Sequence, residues 1–233
     1  MSSSNGAISS PLGENVRRLL RQVLGQGDAS DAVPATGTAP LLRRSNGLRE
    51  FWSGIERAPG GGILDLGSAS QSNLSFITSR GHKLYAEDLF RFALRPAAPQ
   101  NGKPNGSPQF SEEERFFREN LSYAEGQFNG ILCWDLLDFL PDSLVEPFVE
   151  NMHYFLKPGG SLLAFFHTGQ PGTDVAAGQY RINALDSLEL TGNTTAKLRR
   201  NFNNRAIENL FRKFASLKFY LSRDSLREVI IVR

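Results

Sequence analysis

The chain has 233 residues, 40% of them hydrophobic and 21% charged, with a formal net charge of +2. That length supports one sizeable core and is short for two, and so small a charge does not by itself announce a nucleic-acid or membrane partner. Cys133 is the single cysteine, which excludes an intrachain disulfide and a cysteine-rich metal site and fits a reducing, cytoplasmic setting.

The opening MSSSNGAISSPLG lacks the basic and apolar regions of a signal peptide, and no later run reaches bilayer length, so a soluble intracellular protein is expected. Residues 1–10 are small and polar and read as a disordered tail. GENVRRLLRQVLG then carries Val16, Leu19, Leu20 and Val23 at helical spacing and stops at Gly25, and QGDASDAVPATGTAP is a linker. A second helical region, LLRRSNGLREFWSGIERAPGGG, sets Leu48, Phe51, Trp52 and Ile55 on one side. Residues 11–58 are therefore expected to form a helical extension ahead of an α/β domain over 59–233.

From Gly60 onward, apolar runs of strand length alternate with helical patterns, which predicts parallel strands joined by helical crossovers. Ile63 to Leu66 is the first strand, and a helix from about Ser72 to Arg80 ends at Gly81. HKLYAEDLF supplies the second strand, closing on Glu87 and Asp88. RPAAPQNGKPNGSPQ, residues 95–109, holds four prolines and no apolar periodicity and reads as a long flexible loop. SEEERFFREN follows as a helix opened by a Ser111–Glu114 capping box, and a third strand has room only at 121–123. Gly130 to Trp134 is a strand buried on both faces, 143–156 a helix, KPGG a stop and turn, and SLLAFFH the next strand. The closing part pairs the helix NNRAIENLFRKF with SLKFYLS and LREVIIVR, spaced as an antiparallel hairpin. Between Lys197 and Arg233 ten basic residues face three acidic ones, a pattern read as a solvated helix face and hairpin rather than an anion-binding surface. The expected fold is a doubly wound, mostly parallel sheet with helices on both faces and a C-terminal antiparallel hairpin.

GGILDLGSASQSNLSF, residues 60–75, is the densest chemical signal. At the carboxyl end of a first parallel strand, glycine lets backbone amides approach a ligand and the next helix presents free N–H groups, which suits a nucleotide-like molecule. A pyrophosphate needs the three glycines of G-x-G-x-x-G, but here only Gly67 stands, Ala69 and Gln71 replace the others, and Asp65 adds negative charge. A cationic amino or sulfonium group would gain from Asp65, and a ribose diol from Glu87 or Asp88. S-adenosylmethionine carries those groups.

ILDLGSAS, KLYAEDL, FNGILCWDLLDFL and LKPGGSLLAFF occur in the order and spacing of the class I S-adenosylmethionine-dependent methyltransferases, which the chain resembles well over residues 60–166 and loosely over 203–233. The resemblance implies that Asp65, Gly67, Ser68 and Ala69 form the loop under the methionine part of the cofactor. It puts the ribose-binding acid at Asp88, with Glu87 as the alternative and Leu89 beside it, and sets Cys133 and Trp134 near the cofactor's amino group. Cys133 reads otherwise as a small, inert, buried residue, since no activating base lies near it in sequence.

Methyl transfer to a good nucleophile needs alignment and desolvation, with a general base only where the acceptor is protonated. Asp135 and His167, both at carboxyl ends of strands, are the candidates for base or substrate positioning, while Asp138 is expected to face solvent or cap a local turn. No NPPY or DPPY run follows the fourth strand of the family pattern and no proline precedes Cys133, which argues against nucleic-acid bases as acceptors and leaves a small-molecule or protein acceptor. Substrate selection is expected from elements added around the strand ends. These are the amino-terminal helices with Arg43, Arg44, Arg49 and Trp52, read as a lid over the cofactor, the proline-rich loop, and residues 168–200. Two other readings compete: a nicotinamide-dependent oxidoreductase, disfavoured by the missing glycines, and a non-catalytic binding or regulatory protein that kept the fold.

Overall fold

The computed structural model describes residues 41–56, 60–94, 117, 121–192, 194–221 and 225–233. The expected tail, first helix and linker, the proline-rich loop and nearly all of the helix from Ser111 lie outside them. The described residues belong to one compact unit, and none of their helices is long and apolar enough to cross a membrane.

Strand β1 (Leu41–Arg44) leads into helix α1 (Asn46–Ile55), which Ser45 caps by accepting from the Leu48 amide. Strand β2 (Gly62–Asp65), helix α2 (Gln71–Ser79), strand β3 (Lys83–Ala86) and helix α3 (Leu89–Ala93) follow. Next come β4 (Phe128–Trp134), a 3-10 turn (Leu136–Asp138), α4 (Asp142–Phe155) and β5 (Leu156–His167). Four short strands then intervene: β6 (Asp174–Ala176), β7 (Gln179–Ala184), β8 (Ser187–Thr191) and β9 (Thr195–Lys197). Helix α5 (Asn204–Leu210) precedes β10 (Ser216–Leu221) and β11 (Leu226–Val232).

The main sheet has the order β10-β11-β5-β4-β2-β3. β3, β2, β4 and β5 run parallel, while β11 pairs antiparallel with both β5 and β10 as the predicted hairpin. Because β2 is followed by β3 on one side and β4 lies on its other side, the order reverses between β2 and β4. The carboxyl ends of these two strands flank the crevice where an open α/β sheet receives a ligand.

Alternate side chains on the strands feed two cores, as a period of two requires. Ile63, Leu132, Leu163 and Phe165 pack with Leu48, Phe51, Trp52 and Ile55 of α1 and Ile77 of α2. Leu64, Ile131, Cys133 and Leu162 pack on the other face with Leu144, Phe148 and Met152 of α4 and Ile207 of α5. The helix reaches the sheet closely because Gly130 has no side chain: a Cβ there would lie 2.6 Å from Phe51 Cζ and 2.7 Å from Ile55 Cδ1.

Four features differ from the sequence expectation. Leu41–Arg44, read as part of a helical region, form strand β1, which pairs with the β8 edge, and the helix begins only at Asn46 behind the Ser45 cap. Residues 121–123 form no strand; instead Tyr123 packs edge-on against Tyr85, Phe128 and Phe155. KPGG is not a stop before a strand but a bulge within one, because Phe128 pairs with Leu156 and Gly130 already with Ser161. The unassigned span 168–200 is mostly strand, with β7 and β8 forming a hairpin that adds β1 as a third strand and β6 pairing with β9.

One buried acid fastens β1 and α1 to the sheet. Glu228 on β11 is 1% exposed and accepts from Arg43 Nη2 at 2.7 Å, Ser45 Oγ at 2.9 Å and the Gly47 amide at 2.6 Å. Arg43 also lies over the Phe165 ring.

The tight seat of α1 yields an expectation: Gly130→Ala should lower stability by about 1–3 kcal/mol through overpacking, read as an earlier urea midpoint with an unchanged slope. An unchanged midpoint would mean that the helix does not rest on this glycine.

Candidate functional site

Asp65 ends β2 and is 1% exposed, and three donors of the chain itself occupy its carboxylate. Oδ1 accepts from the Gly67 amide at 3.0 Å and from Trp134 Nε1 at 2.7 Å, and Oδ2 accepts from Asn73 Nδ2 at 2.9 Å. Burial pushes its carboxyl up, against the pull of those hydrogen bonds. In this arrangement Asp65 ties the turn, α2 and β4 together, so a cationic ligand group would meet a carboxylate that already accepts from three donors of the chain.

Trp134 reaches Asp65 because of a bulge at the end of β4, where Leu132 pairs with Leu163 but Trp134 pairs with Ala164. Its φ of 54° lies in the left-handed region, which few non-glycine residues occupy. The ring lies so close to Gly67 that a Cβ there would be 2.8 Å from Trp134 Cδ1. Its other face stacks on Tyr180, with centroids 5.1 Å apart and planes 11° apart.

Strand β7 covers the turn. Gln179 Nε2 donates to the carbonyls of Ser68 and Ala69 at 2.9 and 2.7 Å, while Asn73 exchanges hydrogen bonds with the Tyr180 carbonyl and the Ile182 amide. Among the described residues it is β7 that lies over the turn, while residues 1–40 of the segment read as a lid lie outside them. Trp52 is buried against Phe51, Phe76 and His82, Arg43 is held by Glu228, and Arg44 and Arg49 pair with Asp186 at the tip of the β7–β8 hairpin.

The acids after β3 are half-buried beside the turn. Asp88 caps α3 by accepting from the Arg91 amide at 3.2 Å and accepts from Ser68 Oγ at 3.2 Å, while Glu87 accepts from Tyr123 Oη at 2.5 Å. Ser68 is half-buried and Ala69 exposed, whereas Leu89 and Cys133 are buried in the core on the α4 side. Burial pushes the Cys133 thiol far up, which keeps it inert.

At the ends of β4 and β5 the structure brings Asp135, Asp138 and His167 together. Asp138 is fully buried rather than solvent-facing: the 3-10 turn points it under β5, where Oδ2 accepts the His167 amide at 2.7 Å and meets His167 Nδ1 at 2.9 Å. His167 Nε2 lies 4.0 Å from Asp135 Oδ2, which accepts from Tyr180 Oη at 3.1 Å. Burial, reinforced by the Asp138 charge, pushes Asp135 up to about 7 although the His167 charge opposes it. For His167 burial acts downward, but the hydrogen bond to Asp138 and the two carboxylate charges outweigh it and the net shift is upward. His167 and Tyr180 line a cavity of about 370 Å³ with Arg43, Val175, Leu190 and Leu226.

Asp138 and Tyr180 were missed as site residues. Asp138 follows Asp135 on one tight turn, which was a usable signal, whereas Tyr180 lies in a segment whose only visible pattern is strand alternation.

A ribose is compatible with the half-buried acids beside the Ser68–Ala69 turn. The amino-acid end of S-adenosylmethionine does not fit on Asp65 while Trp134 occupies it.

The family model described as a methyltransferase domain matches residues 43–214. No curated protein matches the chain. Among solved structures, it is similar at 14% identity to the 1,6-didemethyltoxoflavin N1-methyltransferase of Burkholderia thailandensis (98% of this chain and 91% of that one covered, TM-score 0.43). It is also similar to a TehB-like methyltransferase of Corynebacterium glutamicum (15% identity, 96% and 100% covered, TM-score 0.44) and to a methyltransferase of Mesorhizobium loti (16%, 79% and 98%, TM-score 0.45). With the family model running from within β1 past the end of α5, the chain belongs to the methyltransferase-domain family, the class I group whose motifs its sequence resembles.

Proposed function

We propose that this chain is a methyltransferase that uses S-adenosylmethionine and acts on an acceptor bearing a protic group. The observation that carries this reading is the shared position, at the carboxyl ends of the parallel strands, of the Gly67 turn, the Glu87–Asp88 pair and the His167–Asp138 dyad. S-adenosylmethionine would supply an electrophilic methyl group. The residues' own contribution is to seat the ribose at Asp88, to exclude water beneath β7, and to hold an acceptor proton at His167 Nε2. With Nδ1 donating to Asp138, Nε2 is the nitrogen left to take that proton, and Asp138 stabilises the imidazolium that results. A small-molecule or protein acceptor, bound in a cytoplasmic setting, is part of this proposal.

A second reading, a non-catalytic binding protein on the same fold, is favoured by one observation, the Trp134 indole on Asp65.

Two measurements test the roles. Calorimetric titration with S-adenosylhomocysteine should give heat that Asp88→Ala reduces at least tenfold in affinity, and Asp88→Asn, which retains the α3 cap, should separate ribose binding from capping. Full affinity in Asp88→Ala would overturn the ribose assignment. In a proton NMR titration His167 should titrate above the ordinary histidine value of about 6.5, and Asp138→Asn should bring it down. Since the folded value is raised, the stability this group lends is full below about 6.5 and fades as pH rises through the folded value. Base function should follow the opposite course, appearing as the ring loses its proton. A His167 that titrates below 6.5 would remove the dyad.

A further inference from the structure

The turn after β2 is already occupied on its most polar side. Trp134 Nε1 donates to Asp65 Oδ1 at 2.7 Å, which is the kind of bond that the ammonium of an amino acid would make to the same oxygen. The ring is pressed against Gly67, the one glycine the turn retains, and is backed by Tyr180 in parallel stacking. Tyr180 is in turn held by its hydroxyl on Asp135 and through its carbonyl by Asn73. Asp65 has no solvent-facing edge from which a second cation could approach. Beside this closed half lies an accessible one, where Ser68, Ala69, Glu87 and Asp88 are exposed or half-buried.

We propose that Trp134 is an internal competitor for the amino-acid end of the cofactor, so that the resting crevice recognises a nucleoside with a short 5′ substituent and admits the longer amino-acid tail only when the indole leaves Asp65. The inference rests on the reading of this turn as a nucleoside site. It adds a ligand preference that follows from the chain's own aromatic pair. The tail's bond to Asp65 is offset by the loss of the indole's bond to the same atom and by loss of the Tyr180 stack, so lengthening the ligand brings little net affinity. The left-handed backbone at Trp134 is where the swing is accommodated, because relaxation there moves the ring without disturbing the β4 pairing before Leu132.

The test compares S-adenosylhomocysteine with 5′-methylthioadenosine by calorimetry on the full chain and on Trp134→Phe and Trp134→Ala. The wild type should bind the two within about threefold of each other. Both variants should tighten S-adenosylhomocysteine at least tenfold and leave 5′-methylthioadenosine unchanged, the latter serving as the check that the crevice is intact. Trp134→Phe keeps a ring on Tyr180 while removing the N–H, so it carries the test if the alanine variant does not fold. The chain has two tryptophans. In a Trp52→Phe background the Trp134 emission should therefore shift to longer wavelength with S-adenosylhomocysteine and stay put with 5′-methylthioadenosine. A wild type that prefers S-adenosylhomocysteine tenfold or more, with that preference lost in the variants, would make Trp134 part of the tail's seat and overturn the proposal. Failure of every form to bind either compound would instead overturn the nucleoside reading on which it rests.

Discussion

The site depends on one buried carboxylate. A charge or polar acid removed from water costs several kcal/mol unless its lone pairs are met, so Asp65 can end β2 only where donors converge on it. The three that do so come from the turn, from α2 and from β4, which means that the position of each is set by the others. Asn73 extends the same constraint outward, because its amide also holds the Tyr180 carbonyl and the Ile182 amide of β7. An acid commonly read as a ligand contact thus becomes the fastening of the turn, its covering strand and the tryptophan that lies on it.

The second polar centre is governed by the same rule with a different outcome. Asp135 and Asp138 are both fully buried, and His167 reaches both, through Nδ1 on one and at 4.0 Å on the other. Burial pushes Asp135 up to about 7 and raises Asp138 as well, while the hydrogen bond to Asp138 and the two carboxylate charges raise His167. Tyr180 links the two centres physically: its ring stacks on Trp134 and its hydroxyl binds Asp135.

The sheet was legible because its signals are local. The apolar runs at 63–66 and 130–134, the Gly81 stop and the two closing strands each show their period in a few residues. The identity of the turn was legible for the same reason: one acid and one glycine at the end of the first strand. What the side chains there do was not, since Trp134 Nε1 and Asp65 are 69 positions apart and only the bulge at Cys133 brings them together. The covering strand was hidden for a related reason. β8 pairs with β1, a partner more than a hundred residues earlier, as well as with β7, and a two-residue alternation in a polar span carries no mark of what lies beneath it. Asp138 was misread because spacing along a tight turn does not tell which way a side chain points.

The grip of Glu228 on the amino-terminal strap has a consequence for how the molecule is made. Arg43 and its counter-charge are separated by 185 positions, and the same acid also satisfies Ser45 and Gly47. While the ribosome is still short of residue 228, the strap can meet β8 and Asp186 but lacks the buried acid that ties it to the main sheet. The tie between strap and main sheet is therefore among the last made in biogenesis, and a nascent chain stalled before β11 would leave Arg43, Ser45 and Gly47 without their shared acceptor.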